Sequence, residues 1–269
     1  MAAPLDTMRS CPDGRYDDDV VHVRRASTPG ITARPGRDGR IEVLHRIGPA
    51  ALDDELGSPL AEALAPLTDD HEVFARAFTG VVLTSQPHAA SAWDLFYRNS
   101  LARIRHRTAP GYSTVYRHAL ELLPPTSVVD LGCSFGFLAL HLAARGVAVT
   151  ACDVDPGTTA LVRRMSRRLG HVLDVRTTTE DHVNLPDGSA DAVAVLHVLE
   201  HVGFEQGAAV LGEALRIARR RVVVAVPYEP RPTALFGHVR SVDARQLDAL
   251  GSASGWTYEV HEHFGGWLV

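Results

Sequence analysis

The chain has 269 residues, 45% of them hydrophobic, which suffices for one large domain and a smaller appendage. Its net charge of −5 argues against a nucleic-acid substrate, since phosphate binding requires a basic surface. Three scattered cysteines, Cys11, Cys133 and Cys152, are too few for a disulfide framework or a tetrahedral zinc site and favour a reducing, cytoplasmic setting. We expect neither a signal peptide nor a membrane span, because no apolar run reaches eighteen residues.

The first 109 residues predict a partly flexible, mostly helical appendage that serves as a lid. Residues 1–19 are expected to form a loose polar tail, and residues 20–23 and 41–44 two short paired strands. Two helices are predicted over residues 59–83 and a longer helix over residues 91–107. Asp69 or Asp70 is the expected cap of the second helix. Tyr97 and Arg98 lie in an aromatic and polar stretch of the longer helix, so they are candidate acceptor-binding residues. Core packing is the alternative explanation of that stretch.

From residue 110 to the end, apolar runs alternate with helical patterns, which is typical of a parallel sheet with crossover helices. Strands are predicted over residues 128–131, 147–152, 172–177, 192–196 and 221–226. Helices are predicted over residues 112–123, 137–145 and 206–218, and from a capping box at Asp243 to near Gly251. The fold class is therefore α/β, with one sheet over residues 110–269.

The loop after the first of these strands points to the ligand. Gly132 and Gly136 frame a tight turn that lets a ligand approach the backbone. Their G-x-x-x-G spacing lacks the third glycine of a dinucleotide fingerprint. Asp130 beside the loop would repel a pyrophosphate but attract a cation, and Asp153 at the end of the next strand can accept both hydroxyls of a ribose. S-adenosylmethionine (SAM) offers a cationic end and a ribose end, so it fits both acids.

Over residues 110–269 the chain resembles class I SAM-dependent methyltransferases. The resemblance rests on the glycine loop, Asp153 and two later stretches, Val129–Gly136, Leu185–Asp191 and Leu196–Val202. It departs from the family at Ser134, where a third loop glycine is commoner. An ordinary strand-to-helix turn is the alternative explanation of the loop.

The resemblance implies a doubly wound, Rossmann-like sheet of seven strands, six parallel and one antiparallel, with residues 256–261 and 264–269 as a closing hairpin. It also implies SAM as the cofactor, bound by a set of loop and strand-end residues, Asp130, Gly132, Ser134, Gly136, Asp153 and His197. An acid at Glu180 or Asp181 would accept the adenine amino group, with a solvated acidic turn as the alternative.

The candidate catalytic residues follow the fourth strand of the sheet, where ligands of open α/β sheets bind. His201 is the expected general base, with His197 and Glu200 beside it; a structural, helix-capping role for His201 is the alternative. Some family members read Glu-x-x-Glu-His here and hold a divalent cation. Because His197 replaces the first acid, we expect no metal requirement, while a divalent-metal site of His197, Glu200 and His201 stays open.

Tyr228, Glu229 and His238 follow the fifth strand and can shape an acceptor pocket, unless they form an ordinary surface loop. The expected activity is O-methylation of a small molecule. The N-terminal hundred residues look similar to actinobacterial methyltransferases that modify the mycofactocin oligosaccharide, which implies a glucose hydroxyl as acceptor. A non-catalytic SAM-binding regulator, an N-methyltransferase of another metabolite and a nicotinamide dehydrogenase are the alternatives, and the oligomeric state is open.

Overall fold

A computed structural model describes residues 5–11, 13–27, 29–106, 111–124, 126–179 and 182–269. The chain divides into two compact units, Met1–Thr108 with Thr233–Gly237, and Ala109–Pro232 with His238–Val269. Among the described residues, no helix is long and apolar enough to cross a lipid bilayer.

The first unit contains a four-stranded sheet as well as helices. Its strands are β1 (Arg15–Asp17), β2 (Val21–Arg25), β3 (Gly30–Pro35) and β4 (Ile41–Arg46), in the order β1-β2-β4-β3. Its helices are α1 (Gly57–Leu64), α2 (His71–Thr84) and α3 (Ala89–His106). The side chain of Asp70 caps α2 by accepting the N–H of Glu72 at 2.8 Å. Of the two caps expected for this helix, Asp69 and Asp70, the structure confirms Asp70.

One expectation for this unit is corrected and another is confirmed. The predicted loose tail contains β1, whose Tyr16 is buried with its hydroxyl 2.8 Å from Asp18, because a buried ion pair between Asp18 and Arg76 holds it in place. The predicted pairing of residues 20–23 with residues 41–44 is confirmed, because β2 and β4 are neighbours; they run in parallel, since the segment between them contains β3.

The second unit is built on a seven-stranded sheet. Its strands are β5 (Ser127–Leu131), β6 (Ala148–Asp153), β7 (Asp174–Thr177), β8 (Ala190–Leu196), β9 (Ala218–Val226), β10 (Val260–Glu262) and β11 (Gly266–Leu268). They follow the order β10-β11-β9-β8-β5-β6-β7, and only β11 runs against the others. The predicted doubly wound sheet of six parallel strands and one antiparallel strand is therefore confirmed.

Helices cover both faces of this sheet, which explains why its central strands are apolar along their whole length. These helices are α4 (Tyr112–Leu122), α5 (Phe137–Ala143), α6 (Pro156–Arg168), α7 (Phe204–Ile217) and α8 (Ala244–Ala253). The capping box of α8 is confirmed, since Asp243 and Gln246 bond each other's backbone N–H at 2.8 and 3.0 Å. The carboxyl ends of β5, β6, β8 and β9 lie at one edge of the sheet.

Three histidines meet where α4 packs against the closing hairpin. Nε2 of His118 lies 2.8 Å from Nε2 of His261, and the His118 ring stacks on His263 at 4.2 Å. Burial lowers the pKa of His118, positive charge on His263 and His261 lowers it further, and Glu121 opposes the shift. These surroundings therefore disfavour the protonated form of His118.

This cluster predicts a loss of stability in mild acid. Because the folded pKa of His118 is depressed, the unfolded chain binds a proton more readily, and the free energy of unfolding falls as pH drops below about 6.5. We expect His118→Gln to reduce that fall, measured as urea midpoints between about pH 7.5 and pH 5. If the urea midpoint falls equally with pH in both proteins, His118 is not the cause of the loss of stability.

Candidate active site

The loop between β5 and α5 has a left-handed backbone at three positions. The backbone φ is +76° at Gly132, +47° at Ser134 and +70° at Gly136. The N–H groups of Gly132 and Cys133 both donate to the carbonyl of Cys152 at 2.9 Å, which fixes the loop to the end of β6. The left-handed backbone at Ser134 costs about 1–2 kcal/mol for any residue that has a Cβ. This cost explains why a glycine is commoner at this position in the family.

Both loop glycines are also required by close packing. A Cβ on Gly132 would lie 2.4 Å from Cγ2 of Val198, and one on Gly136 would lie 2.8 Å from Cγ1 of Val162. The first contact joins the loop to the segment after β8, which carries His197, Glu200 and His201. The packing thus places the two predicted halves of the site side by side.

Asp153 stands at the end of β6 and bonds the loop. Its Oδ2 accepts the N–H of Ser134 at 2.8 Å, and its Oδ1 accepts the N–H of Asp155 at 3.0 Å. Burial raises the pKa of Asp153, and these N–H donors oppose the rise. Since each carboxylate oxygen has two lone pairs, both can accept a further hydroxyl.

Asp130 lies beneath the loop rather than open to a ligand. It is only 3% exposed and accepts the backbone N–H of Ala139, in the first turn of α5. Burial raises its pKa to about 7, and Asp153 adds to the rise. We expected an ionised carboxylate facing a cation; instead, burial leaves Asp130 partly protonated at neutral pH. A cationic ligand above the loop would favour its ionised form.

His197 follows β8 with φ +55°. Its N–H donates to the carbonyl of Ala225 at 2.9 Å, and its ring meets the edge of Tyr112 at 5.8 Å. Its Nδ1 lies 3.0 Å from Oε1 of Glu200. His197 therefore packs beside the buried carboxylate.

Glu200 and His201 lie in the short 3-10 turn Leu199–His201 that comes next. The side chain of Glu200 is fully buried, whereas His201 is exposed. Burial raises the pKa of Glu200, but the hydrogen bond and the charge of His197 outweigh this effect and hold the pKa below its ordinary value. The turn therefore presents one histidine outward and one acid inward.

His238 joins this turn from the segment after β9. Its ring lies edge-to-face with that of His201 at 4.9 Å, and its Nδ1 is 2.7 Å from Oε1 of Glu229. The N–H of Val239 donates to the carbonyl of Glu200 at 2.8 Å, which fastens the two segments together. The sequence placed His238 and Glu229 in an acceptor pocket but missed their convergence with Glu200 and His201. The one indication of this convergence in the sequence was that the two segments follow predicted strands that are neighbours in a parallel sheet.

A surface pocket of about 440 Å³ lies against the same segment. It is lined by eight residues, Tyr228, Glu229, Pro230, Ser241, Val242, Asp243, Ala244 and Gln246. Most of the lining surface is apolar, and hydroxyl, carboxylate and amide groups make up the rest, so the pocket suits a ligand that combines apolar faces with hydrogen-bonding groups.

The match to known proteins falls on this part of the chain. Residues 129–226, which run from β5 to the end of β9, match the family described as a methyltransferase domain. Over these residues the chain is similar to a methyltransferase domain, and we name the second unit the methyltransferase domain after this match. The match supports SAM as the cofactor.

Curated relatives of this methyltransferase domain are similar to parts of the chain. A ubiquinone biosynthesis O-methyltransferase of Methylocella silvestris is 37% identical over 86 residues, 32% of this chain and 34% of that protein. One of Rickettsia conorii is 24% identical over 169 residues, 62% of this chain and 54% of that protein. The chain thus spans a third to a half of these relatives' length.

Solved structures share the fold of the methyltransferase domain. A SAM-dependent methyltransferase of Aquifex aeolicus superposes with a TM-score of 0.50 at 17% identity, covering 63% of this chain and 95% of that one. At this identity the superposition shows only that the two chains share the fold of the sheet and its helices.

The remaining predicted site residues lie elsewhere. Tyr97 is fully buried in the first unit, edge-to-face with Trp93 and Phe96 at 6.5 and 5.8 Å, and Arg98 pairs with Asp94 at 3.0 Å on the surface of α3. We therefore assign Tyr97 to core packing, the alternative considered from the sequence, because a fully buried ring cannot meet an acceptor. Glu180 and Asp181 lie outside the described residues.

The contact between Gly132 and Val198 predicts a specific cost for a side chain at Gly132. Gly132→Ala should lower the free energy of unfolding by about 2–5 kcal/mol, from left-handed strain plus overlap, and should weaken SAM binding. Gly170→Ala is the matched control, because Gly170 has φ +75° with nothing within 4 Å of an added Cβ. It should cost only about 1–2 kcal/mol.

Urea unfolding of both variants measures the difference. Adding Val198→Ala to Gly132→Ala should recover part of the loss, because it removes the overlapping methyl groups. Equal losses at Gly132 and Gly170, or no recovery in the double variant, would show that the contact is unimportant.

Proposed function

We propose that this protein is a SAM-dependent O-methyltransferase that methylates a hydroxyl group of a small molecule. One observation carries the proposal. The Gly132 loop of the methyltransferase domain packs directly on the segment that presents His201, and His238 reaches the same place. A methyl donor and proton-accepting groups therefore share one edge of the sheet.

The chemistry of methyl transfer fits this arrangement. The acceptor oxygen forms a bond to the methyl carbon while the carbon–sulfur bond breaks, and its electron pair goes to sulfur, which leaves a neutral thioether. Alignment of oxygen, carbon and sulfur supplies much of the rate, about 7–11 kcal/mol in favourable cases. The hydroxyl proton must also leave, and a positioned histidine that accepts it contributes about 10²–10⁴-fold.

Two histidines are placed to accept or direct that proton. His201 is exposed at the end of the 3-10 turn. Nδ1 of His238 lies 2.7 Å from Oε1 of Glu229, so the carboxylate fixes the orientation of the ring. Glu229 thus acts as a positioning residue for His238. His197 does not share this exposure and supports the buried side of Glu200 instead.

For the acceptor we propose a glucose unit of an oligosaccharide, with the mycofactocin glycan as the first candidate. The hydroxyl of Tyr228 and the carboxylates of Glu229 and Asp243, set in a mostly apolar lining, support an acceptor that offers hydroxyls beside an apolar ring face. The resemblance of the N-terminal hundred residues supports the same class. The names of the curated relatives favour a second candidate, an intermediate of ubiquinone biosynthesis.

A substitution at His201 tests the catalytic proposal. His201→Ala should retain SAM affinity in calorimetry and lose methyl transfer by about 10²-fold or more. His171→Ala is the matched control, because His171 lies before β7, at the opposite edge of the sheet, and should remain fully active.

The assay scores the mass gain of one methyl group on glucosyl oligosaccharides and on hydroxylated ubiquinone precursors, side by side. Methylation of glucosyl acceptors alone supports the glycan, and methylation of the quinone precursors alone replaces it. SAM binding without transfer to either class would favour a regulatory module. Unchanged turnover in His201→Ala would remove that residue from the mechanism.

A further inference from the structure

Three residues other than glycine have a left-handed backbone in the described part of the chain. They are Ser134, His197 and Phe264, with φ values of +47°, +55° and +53°. Ser134 lies in the loop after β5, His197 follows β8, and Phe264 follows β10. Because β5, β8 and β10 run in the same direction, all three positions lie at the carboxyl edge of the sheet. The first two belong to the candidate active site, whereas Phe264 has no assigned role there.

The strain at Phe264 is not offset by burial of its side chain. A left-handed backbone is unfavourable for any residue with a Cβ, and a bulky residue rarely adopts it. The side chain of Phe264 is 55% exposed, so packing in the core does not compensate for this conformation. Strained residues of this kind cluster at active sites and at places that hold a ligand. The exposed ring is therefore a candidate ligand contact.

Fixed neighbours on both sides impose the conformation of Phe264, which is the middle residue of the turn that joins β10 to β11. The N–H of His263 donates to the carbonyl of Gly265 at 2.9 Å and closes this turn. The carbonyl of His263 accepts the indole N–H of Trp267 at 2.8 Å. A Cβ on Gly265 would lie 2.5 Å from the carbonyl oxygen of Val226, so the turn packs closely on the end of β9. These contacts fix the direction in which the side chain of Phe264 leaves the backbone.

The same turn adjoins the pocket that we propose for the acceptor. Gly266, two residues after Phe264, packs against the ring of Tyr228, since a Cβ on Gly266 would lie 2.3 Å from Cε1 of that ring. Tyr228 lines the pocket and is itself 37% exposed. Two exposed aromatic residues, Tyr228 and Phe264, therefore lie at this part of the carboxyl edge.

We propose that Phe264 is an acceptor-binding residue whose ring contacts the flat, apolar face of a ring in the acceptor. This inference rests on the proposed function for the reaction that the acceptor undergoes. Aromatic side chains supply a large contact area at a low cost in conformational entropy. Because the turn already holds Phe264 in place, little further ordering is needed when the acceptor binds. Phe264 has no polar atom in its side chain, so it contributes affinity and orientation and takes no part in the proton transfer.

Substitution at Phe264 in the full-length protein separates a binding role from a structural one. Phe264→Asn removes the ring and introduces a residue that tolerates the left-handed backbone. Its urea midpoint should equal or exceed that of the unaltered protein, and its affinity for SAM should be unchanged. The KM for the acceptor should rise about 10-fold with little change in kcat, whereas Phe264→Tyr should keep the original KM. Trp256→Ala is the matched control, because Trp256 is an exposed aromatic residue that precedes β10, at the opposite edge of the sheet.

Calorimetry with S-adenosylhomocysteine in place of SAM measures acceptor affinity without turnover, for glucosyl oligosaccharides and for hydroxylated ubiquinone precursors. The class whose binding weakens in Phe264→Asn identifies the ring that Phe264 contacts. Should Phe264→Asn fail to fold, Phe264→Gly takes its place, since glycine also accepts the left-handed backbone.

Acceptor affinity that is equal in the unaltered protein and in Phe264→Asn overturns the inference. Acceptor binding that depends on Phe264, without methyl transfer, would retain the inference and remove the proposed function. Methyl transfer with an unchanged KM in Phe264→Asn would do the reverse. An unaltered protein that neither binds nor methylates either class of acceptor would remove both.

Discussion

The packing of Gly132 against Val198 is the constraint on which the site depends. The chain must leave β5, turn within five residues and start α5, while the segment after β8 lies against the same turn. Only a residue without a Cβ satisfies both the left-handed backbone and this contact. Because the contact joins two neighbouring parallel strands at their carboxyl ends, it brings the glycine loop and the segment of His201 to one edge of the sheet, where we propose that cofactor and acceptor meet.

The two acids beside the loop have different tasks. Asp153 holds the loop through the N–H of Ser134 and keeps lone pairs for a ribose. Asp130 is buried, with its pKa raised to about 7, and bonds the first turn of α5. Its charge therefore responds to what binds above it: a cation such as a sulfonium stabilises the ionised carboxylate, whereas an anion favours the protonated one. This difference is an electrostatic reason for the loop to prefer SAM over a dinucleotide.

The sheet and its turns could be predicted from local sequence patterns because each pattern involves only a few consecutive residues. The apolar run before Gly132, the turn glycines and the capping box at Asp243 all depend on neighbours in the chain. The helix α6 was not predicted, although Asp155 followed by Pro156 is a clear helix start. The strand β1 was missed because Tyr16 is buried by contacts with a distant helix rather than by its own neighbours.

The candidate site was likewise predictable only in part. Gly132, Asp153 and His201 follow directly from their positions after predicted strands. The approach of His238 to Glu200, which lies 38 residues earlier, follows only from the loop conformations after β8 and β9. The burial of Tyr97 was equally hidden, since an aromatic ring on an amphipathic helix serves a core or a ligand with the same sequence pattern.

Calorimetric titration of the unaltered protein and of Asp153→Ala with SAM and with NAD tests the central claim most directly. The carboxylate of Asp153 should recognise the ribose of SAM, so its substitution should weaken SAM binding by about 10–100-fold. Asp130 beside the loop should disfavour a pyrophosphate, so NAD should not bind. An unchanged affinity for SAM in Asp153→Ala, or tighter binding of NAD than of SAM, would contradict it.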